Sequence, residues 1–197
     1  MVKLIVVFMI SCCLIGGCSQ QQQSNERISS LTSEETKIYI IPKAYFDYTR
    51  SEVAESVKSM LDLGDQFCTD AKEIPEGMQL ELTNKQLNNF VRRNNEFMDR
   101  IKESFLSASS LYKCVVDESN NQLTLYCDEK NPTALAYVMT GMTNGLWLNY
   151  MLLNNTTHYN LKLEIRNCHT NKLVVSMNFP VDKEVSFGAE EWDRSYN

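Results

Sequence analysis

The sequence predicts an α+β fold, a single domain in which helices pack on a mainly antiparallel sheet with two β-hairpins. Residues 83–109 place apolar side chains at helical spacing, whereas residues 158–181 alternate apolar and polar side chains with a period of two. Residues 112–128 contain two short strand-like segments around Ser119-Asn120-Asn121. A period of two with one apolar face indicates a sheet that is covered on one side.

The first part of the domain is predicted to contain two short strands and a helix. Lys37–Phe46 is rich in β-branched and aromatic residues, and Pro42 within it indicates an edge strand or a break. A helix is predicted from Ser51 to about Ala71, because apolar residues recur there every three or four positions. Gln79–Leu82 is predicted to be a short strand that follows a turn.

Two long helices are predicted in the centre of the chain. The first begins at Thr83, a good N-cap, with Gln86 at the capping-box position. The second spans Asn131 to Leu153, and two strands around a Thr-Asn-Gly turn are the competing interpretation. Gly141 and Gly145 weaken this helix by about 1 kcal/mol each relative to alanine, but their i,i+4 spacing also permits close approach of another backbone.

Composition and charge exclude two classes of protein. Of the 197 residues, 43% are hydrophobic, which is too many for a disordered chain. The net charge is −6, and it becomes −7 when Lys3 is lost with the signal peptide proposed below. An acidic chain without a basic block is not expected to bind nucleic acid.

The N-terminal segment has the pattern of an export signal. Lys3 precedes an apolar run from Leu4 to Ile15, which as a helix would extend about 18 Å, less than the ~30 Å hydrocarbon core of a membrane. The next residues, Ile15-Gly16-Gly17-Cys18, resemble the lipobox of bacterial lipoproteins. The resemblance implies that residues 1–17 are removed, that the Cys18 thiol receives a diacylglycerol and that the new amine is acylated.

The lipobox resemblance also implies a location. In Gram-negative lipoproteins an Asp after the lipidated cysteine commonly signals retention in the inner membrane, whereas this chain has Ser19. We therefore expect a lipid anchor in the outer membrane that faces the periplasm, with a Gram-positive surface as the alternative. Residues 18–35 are predicted to be a flexible tether, residues 36–181 the globular domain, and residues 182–197 an acidic, irregular tail.

The cysteines predict two disulfide bonds. Removal of Cys12 and Cys13 with the signal, and lipidation of Cys18, leave an even number for an exported domain: Cys68, Cys114, Cys127 and Cys168. A two-residue turn at Asn120-Asn121 would place Cys114 opposite Cys127 with Cα atoms about 4.5 Å apart, within disulfide range. By elimination, Cys68 would then pair with Cys168.

We find no standard catalytic motif. The sequence contains no GxSxG, no Gly-rich phosphate loop and no HExxH segment, so we expect no catalytic site, no cofactor and no metal. A metal site formed by Cys68, Cys168 and His169 is the competing interpretation of the cysteines, although CxxC or HxxxH spacing is absent. Carboxylates that meet only in space leave no local signature, so a cell-wall hydrolase is a lesser alternative.

Together these observations favour a non-catalytic lipoprotein that binds a protein partner in the periplasm, as inhibitor, immunity or exclusion proteins do. Three aromatic residues of the tail are the predicted partner contacts: Phe187, Trp192 and Tyr196. Packing of these residues on the domain's own core is an equally good interpretation. A structural or assembly subunit of an envelope secretion or conjugation machine is the main alternative function.

Overall fold

The computed structural model describes residues 35–182 and 187–197. The predicted signal peptide, Cys18 and the predicted tether before Glu35 lie outside the described residues. Those residues form two sheets and five α-helices, which confirms the predicted α+β class. None of the described helices is both long and apolar enough to span a membrane.

The first sheet is antiparallel and has the strand order β1–β3–β2. Its strands are β1 (Thr36–Pro42), β2 (Asp70–Ile74) and β3 (Gly77–Thr83). Pro42 ends β1, and α1 (Lys43–Thr49) follows directly, so the predicted break occurs at the proline.

The next helix, α2 (Val53–Asp62), is shorter than the sequence predicted. Leu63 is its C-cap, and Gly64 adopts a φ of +74°, in the left-handed region that favours glycine. The chain then leaves the helix, and Ala71, expected near the helix end, pairs with Leu80 in the sheet. The apolar spacing beyond Gly64 therefore belongs to a loop and a strand.

The two long helices are confirmed as α3 (Asn84–Ser107) and α4 (Pro132–Asn154). The predicted capping box is present. The backbone N–H of Gln86 donates to Thr83 Oγ1, and the backbone N–H of Thr83 donates to Gln86 Oε1. In α4, 13 of the 23 residues are buried. This helix contacts α3, β1 and β5, and residues of both sheets share one hydrophobic core around it.

The glycines of α4 lie against α3, but α3 side chains approach them, and not another backbone as their spacing suggested. A Cβ at Gly141 would overlap the side chain of Ile101, and a Cβ at Gly145 would lie 2.5 Å from Met98 Cγ and Sδ. The Asn94 side chain also donates a hydrogen bond of 2.8 Å to the Gly145 carbonyl. The two glycines therefore allow α3 side chains to approach the backbone of α4 closely.

The second sheet has the strand order β4–β5–β6–β7. Its strands are β4 (Lys113–Asp117), β5 (Gln122–Cys127), β6 (Leu161–Asn167) and β7 (Leu173–Phe179). The antiparallel pairs β4–β5 and β6–β7 are the two predicted hairpins. However, β5 and β6 are parallel, so this sheet is mixed, and α4 forms the crossover that parallel neighbours require.

The β4–β5 turn differs from the predicted two-residue turn. The Asp117 carboxylate accepts hydrogen bonds from the amides of Ser119 (3.1 Å) and Asn120 (3.3 Å), and it thereby caps a 3₁₀ turn at Glu118–Asn120. Asp117 consequently lies opposite Gln122, which moves the register by two residues. Cys114 therefore lies opposite Leu125 and not opposite Cys127.

The four described cysteines are free thiols. The predicted bonds Cys114–Cys127 and Cys68–Cys168 are therefore absent from the structure, and the disulfide-stapled part of the fold prediction is unsupported. The Cys68 thiol instead donates to the Met60 carbonyl at 3.7 Å. Burial raises the pKa of Cys114 to about 11 and that of Cys127 to about 12.

The C-terminal segment contains a helix where the sequence predicted an irregular tail. This helix, α5 (Ala189–Tyr196), has Glu190 and Glu191 in its first turn and Arg194 in its last, an order that suits the helix dipole. Arg194 contacts Glu191 at 2.8 Å, Trp192 is buried, and α5 packs on β6 and β7 of the second sheet.

Candidate functional site

Three ionisable side chains meet where β5 and β6 end. Asp128 directly follows β5, and Cys168 and His169 directly follow β6. Because these strands are parallel neighbours, their carboxyl ends lie side by side. A carboxylate oxygen, a thiol sulfur and an imidazole nitrogen consequently lie within 4.8 Å of one another. We call Asp128, Cys168 and His169 the strand-end cluster.

The two oxygens of Asp128 have different partners. Oδ1 accepts hydrogen bonds from the Tyr112 hydroxyl at 2.6 Å and from the Lys130 amide at 3.0 Å. Oδ2 lies 3.7 Å from His169 Nε2. The carboxylate is thus oriented through one oxygen, while the other faces the rest of the cluster.

The β6–β7 turn that carries Cys168 and His169 is held by hydrogen bonds. Asn167 Oδ1 accepts from the His169 amide at 2.9 Å, and Asn167 Nδ2 donates to Ser195 Oγ at 2.9 Å. The Thr170 hydroxyl donates to the Ser195 carbonyl at 2.7 Å. Helix α5 therefore supports the turn that presents the thiol and the imidazole.

The cluster is partly open to solvent. The side chain of Asp128 is 10% exposed, whereas that of His169 is 40% exposed, and Cys168 is intermediate. Small solutes can therefore reach the cluster from the side of His169, while Asp128 lies at its base.

The protonation of the cluster follows from its surroundings. Burial by itself raises the pKa of Asp128, but the hydrogen bonds from Tyr112 and Lys130, together with the charges of Lys130 and His169, outweigh it, so this pKa is lowered. Burial and the nearby Asp128 carboxylate raise the pKa of both Tyr112 and Cys168. Near neutral pH the cluster therefore holds a carboxylate and, in the absence of a ligand, a protonated thiol.

The structure separates the three aromatic residues predicted to contact a partner. Trp192 is 6% exposed, and Phe187, whose ring centroid is 6.3 Å from that of Trp192, is partly buried against the same core. Tyr196 is 41% exposed, and its hydroxyl donates to Glu129 Oε2 at 2.7 Å. This hydrogen bond is the main reason why the pKa of Tyr196 is raised to about 12. Its ring centroid lies 6.2 Å from that of His169, so it borders the strand-end cluster.

The competing metal interpretation named two members of the cluster. Cys168 and His169 do lie together, but Asp128 is the third member, and Cys68 lies in a different environment beside Met60. The sequence feature that could have identified Asp128 as the third member was its position directly after a strand. This position brings Asp128 close to Cys168 and His169 only if β5 and β6 are parallel, and the predicted, mainly antiparallel sheet did not include that pairing.

A second surface feature lies along β1. Among the described residues, β1 pairs only with β3 and is therefore an edge strand. Ile38 on this strand is 53% exposed. With Ile40 and the segment Asn155–Thr157 it lines an open cavity of about 350 Å³, which we call the β1 groove.

Comparison with known proteins gives no assignment. No family model, no curated protein and no solved structure matches this chain. The functional argument therefore rests on the motifs of the sequence and on the two surface features described above.

Proposed function

We propose that this chain is a lipid-anchored envelope protein that binds a protein partner and catalyses no reaction on it. The lipobox-like segment that ends at Cys18 supports the anchor, because two or more acyl chains give stable membrane attachment without a spanning helix. The Gln- and Ser-rich residues before the domain would hold it about 20–25 Å from the lipid surface.

The exposed edge of β1, which carries Ile38 beside the β1 groove, is the observation that carries the binding part of the proposal. Exposed sheet edges accept extended segments of partner proteins, with main-chain hydrogen bonds supplying affinity and pockets for alternate side chains supplying specificity. Ile38 and Ile40 are alternate residues of β1, and both line the groove. The proposed partner therefore contributes an extended segment with an apolar side chain that contacts these isoleucines.

The anchor is tested by lipidation in cells. We expect the chain to incorporate labelled palmitate and its precursor to accumulate when globomycin inhibits the lipoprotein signal peptidase. The Cys18→Ser variant should lose the label, and Cys13→Ser, five residues earlier, should keep it. Palmitate incorporation that persists in Cys18→Ser, or its absence from the natural chain, would contradict the anchor.

The binding surface is tested by a photo-crosslinking amino acid placed at Ile38 in the full chain in cells. The matched control is Val115, which is 48% exposed on the edge strand β4 of the other sheet. We expect one discrete crosslinked species from position 38 and none from position 115. Recovery of a stable multi-subunit assembly from position 38 would favour the assembly-subunit alternative.

An Ile38→Asp variant provides the second measurement, because a charge on the groove should remove the crosslink to a probe placed at Ile40. The same weak set of products from positions 38 and 115 would show that β1 is not the binding surface.

A further inference from the structure

We propose that the strand-end cluster binds one divalent cation of the zinc class, with Asp128, Cys168 and His169 as ligands and a solvent molecule in the fourth position. This site is independent of the β1 groove and of the lipid anchor. Thiolate, imidazole and carboxylate groups are the zinc ligands of proteins, and three protein ligands plus water is a recognised tetrahedral arrangement.

The spacing of the ligand atoms suits such an ion. Tetrahedral coordination with Zn–N and Zn–O bonds of about 2.0–2.1 Å places those two atoms roughly 3.3–3.4 Å apart, and His169 Nε2 and Asp128 Oδ2 are 3.7 Å apart. A Zn–S bond of about 2.3 Å places sulfur roughly 3.6 Å from either atom. Because all three atoms already lie within 4.8 Å of one another, small side-chain rotations would complete the set.

The surrounding hydrogen bonds match those that support metal ligands. Outer partners commonly orient a ligand through the atom that does not bind the metal. Tyr112 and Lys130 both donate to Asp128 Oδ1, so Oδ2 is directed towards His169. Asn167 fixes the backbone of His169 and is itself held by Ser195 of α5. The Asp128 carboxylate and the backbone of His169 are therefore oriented before any ion binds, and the side chains of Cys168 and His169 would rotate to complete the set.

The ligand types select the class of cation. Calcium and magnesium prefer sets made of oxygen atoms, whereas this cluster supplies one oxygen, one nitrogen and one sulfur. Cys168 is the only described cysteine that is not fully buried. An ion can therefore reach the Cys168 thiol from the side of the partly exposed His169, and the thiol releases its proton when it binds the ion.

The test uses the full chain in detergent, with its thiols reduced, and Co²⁺ as the spectroscopic probe. We expect one Co²⁺ per chain, a sulfur-to-cobalt charge-transfer band in the near ultraviolet, and loss of that band when Zn²⁺ is added. Cys168→Ser should abolish the band. His169→Gln should weaken Zn²⁺ binding by more than about 100-fold, and Tyr112→Phe by about 10–100-fold through loss of orientation.

Matched controls come from the same chain. Cys114→Ser removes another thiol, and His158→Gln alters the second of the two histidines, and both should bind metal like the natural protein. Circular dichroism without metal checks that each variant is folded. If Cys168→Ser does not fold, the Zn²⁺ affinity of His169→Gln tests the proposal, and an affinity equal to that of the natural chain would overturn it. A natural chain without the cobalt band, or a band that survives in Cys168→Ser, would overturn the proposal.

Discussion

Glu164 illustrates how one buried charge is stabilised by its own strand. Its side chain is 6% exposed and contacts Lys162 through one oxygen and Arg166 through the other, at 2.8 Å in the second case. Residues two apart on a strand share a face, so the sequence Lys-Leu-Glu-Ile-Arg places both cations beside the carboxylate. The hydrogen bond from Lys162 lowers the pKa of Glu164, burial raises it, and Arg166 lowers it further, so the net shift is downward.

Because the pKa of Glu164 is lower in the folded chain, its ionised form stabilises the fold above the unfolded-state pKa, and this contribution is lost as the pH falls through the folded value. We expect Glu164→Gln to reduce the free energy of unfolding by about 1–3 kcal/mol at pH 7. The difference from the natural chain should shrink towards about pH 3. Urea unfolding at the two pH values measures it.

The control for this prediction is Glu103→Gln, since Glu103 is exposed on α3. It should change the free energy of unfolding by less than about 0.5 kcal/mol. An equal loss for Glu164→Gln at both pH values would show that the ionised group is not the cause.

At the scale of elements, the close contact between α3 and α4 depends on two glycines in α4. Gly141 and Gly145 are poor helix formers, yet they lie within α4, because the positions of their absent Cβ atoms are occupied by Ile101 and Met98. Asn94 adds bonds across the same contact, to the Gly145 carbonyl and to Asn149 Oδ1. The intrinsic cost of the glycines is therefore offset by packing between the two helices.

We expect Gly141→Ala to lower the free energy of unfolding by about 1–2 kcal/mol. Overpacking costs about 1–3 kcal/mol, and the better helix propensity of alanine returns up to about 1 kcal/mol. Gly145→Ala should cost less, because the Met98 side chain is flexible. Denaturant unfolding of the two variants gives these values.

Two further variants identify the cause. Ile101→Val removes Cδ1, the atom nearest to the added methyl group, so Gly141→Ala should cost less in that background than in the natural chain. Gly188→Ala meets no atom within 4 Å, so its cost should be limited to the weaker N-cap that alanine gives α5 and should be the same in both backgrounds. Equal costs for Gly141→Ala in both backgrounds would mean that steric overlap is not responsible.

At the scale of the whole molecule, the sequence predicted the features that depend on neighbouring residues. It did not predict the pairing of segments that are distant in the chain. The Thr83 capping box depends on residues three apart, and the alternation in β6 and β7 depends on one face being buried, so the sequence shows both directly. The parallel pairing of β5 with β6 depends instead on how α4 crosses the sheet. The sequences of β5 and β6 alone do not specify whether the two strands pair in parallel.

The same distinction explains the outcome at the candidate site. The predicted Cys114–Cys127 pairing failed because Asp117 selects a longer turn, a choice made by side-chain hydrogen bonds. The strand-end cluster was missed because Asp128 and His169 are brought together only by the crossover through α4. In both cases the helices and strands involved were predicted correctly. The errors concern the register between β4 and β5 and the relative direction of β5 and β6.

The placement of the two tryptophans makes the molecule its own optical probe. Trp147 lies in α4 with Tyr45 and Phe179 at ring distances of 5.1 Å, whereas Trp192 lies in α5 beside Phe187. Release of the terminal helix would therefore shift only the emission of Trp192, and global denaturation would shift both signals. Single-tryptophan variants carrying Trp147→Phe or Trp192→Phe would let fluorescence distinguish fraying of the C-terminal helix from unfolding of the core.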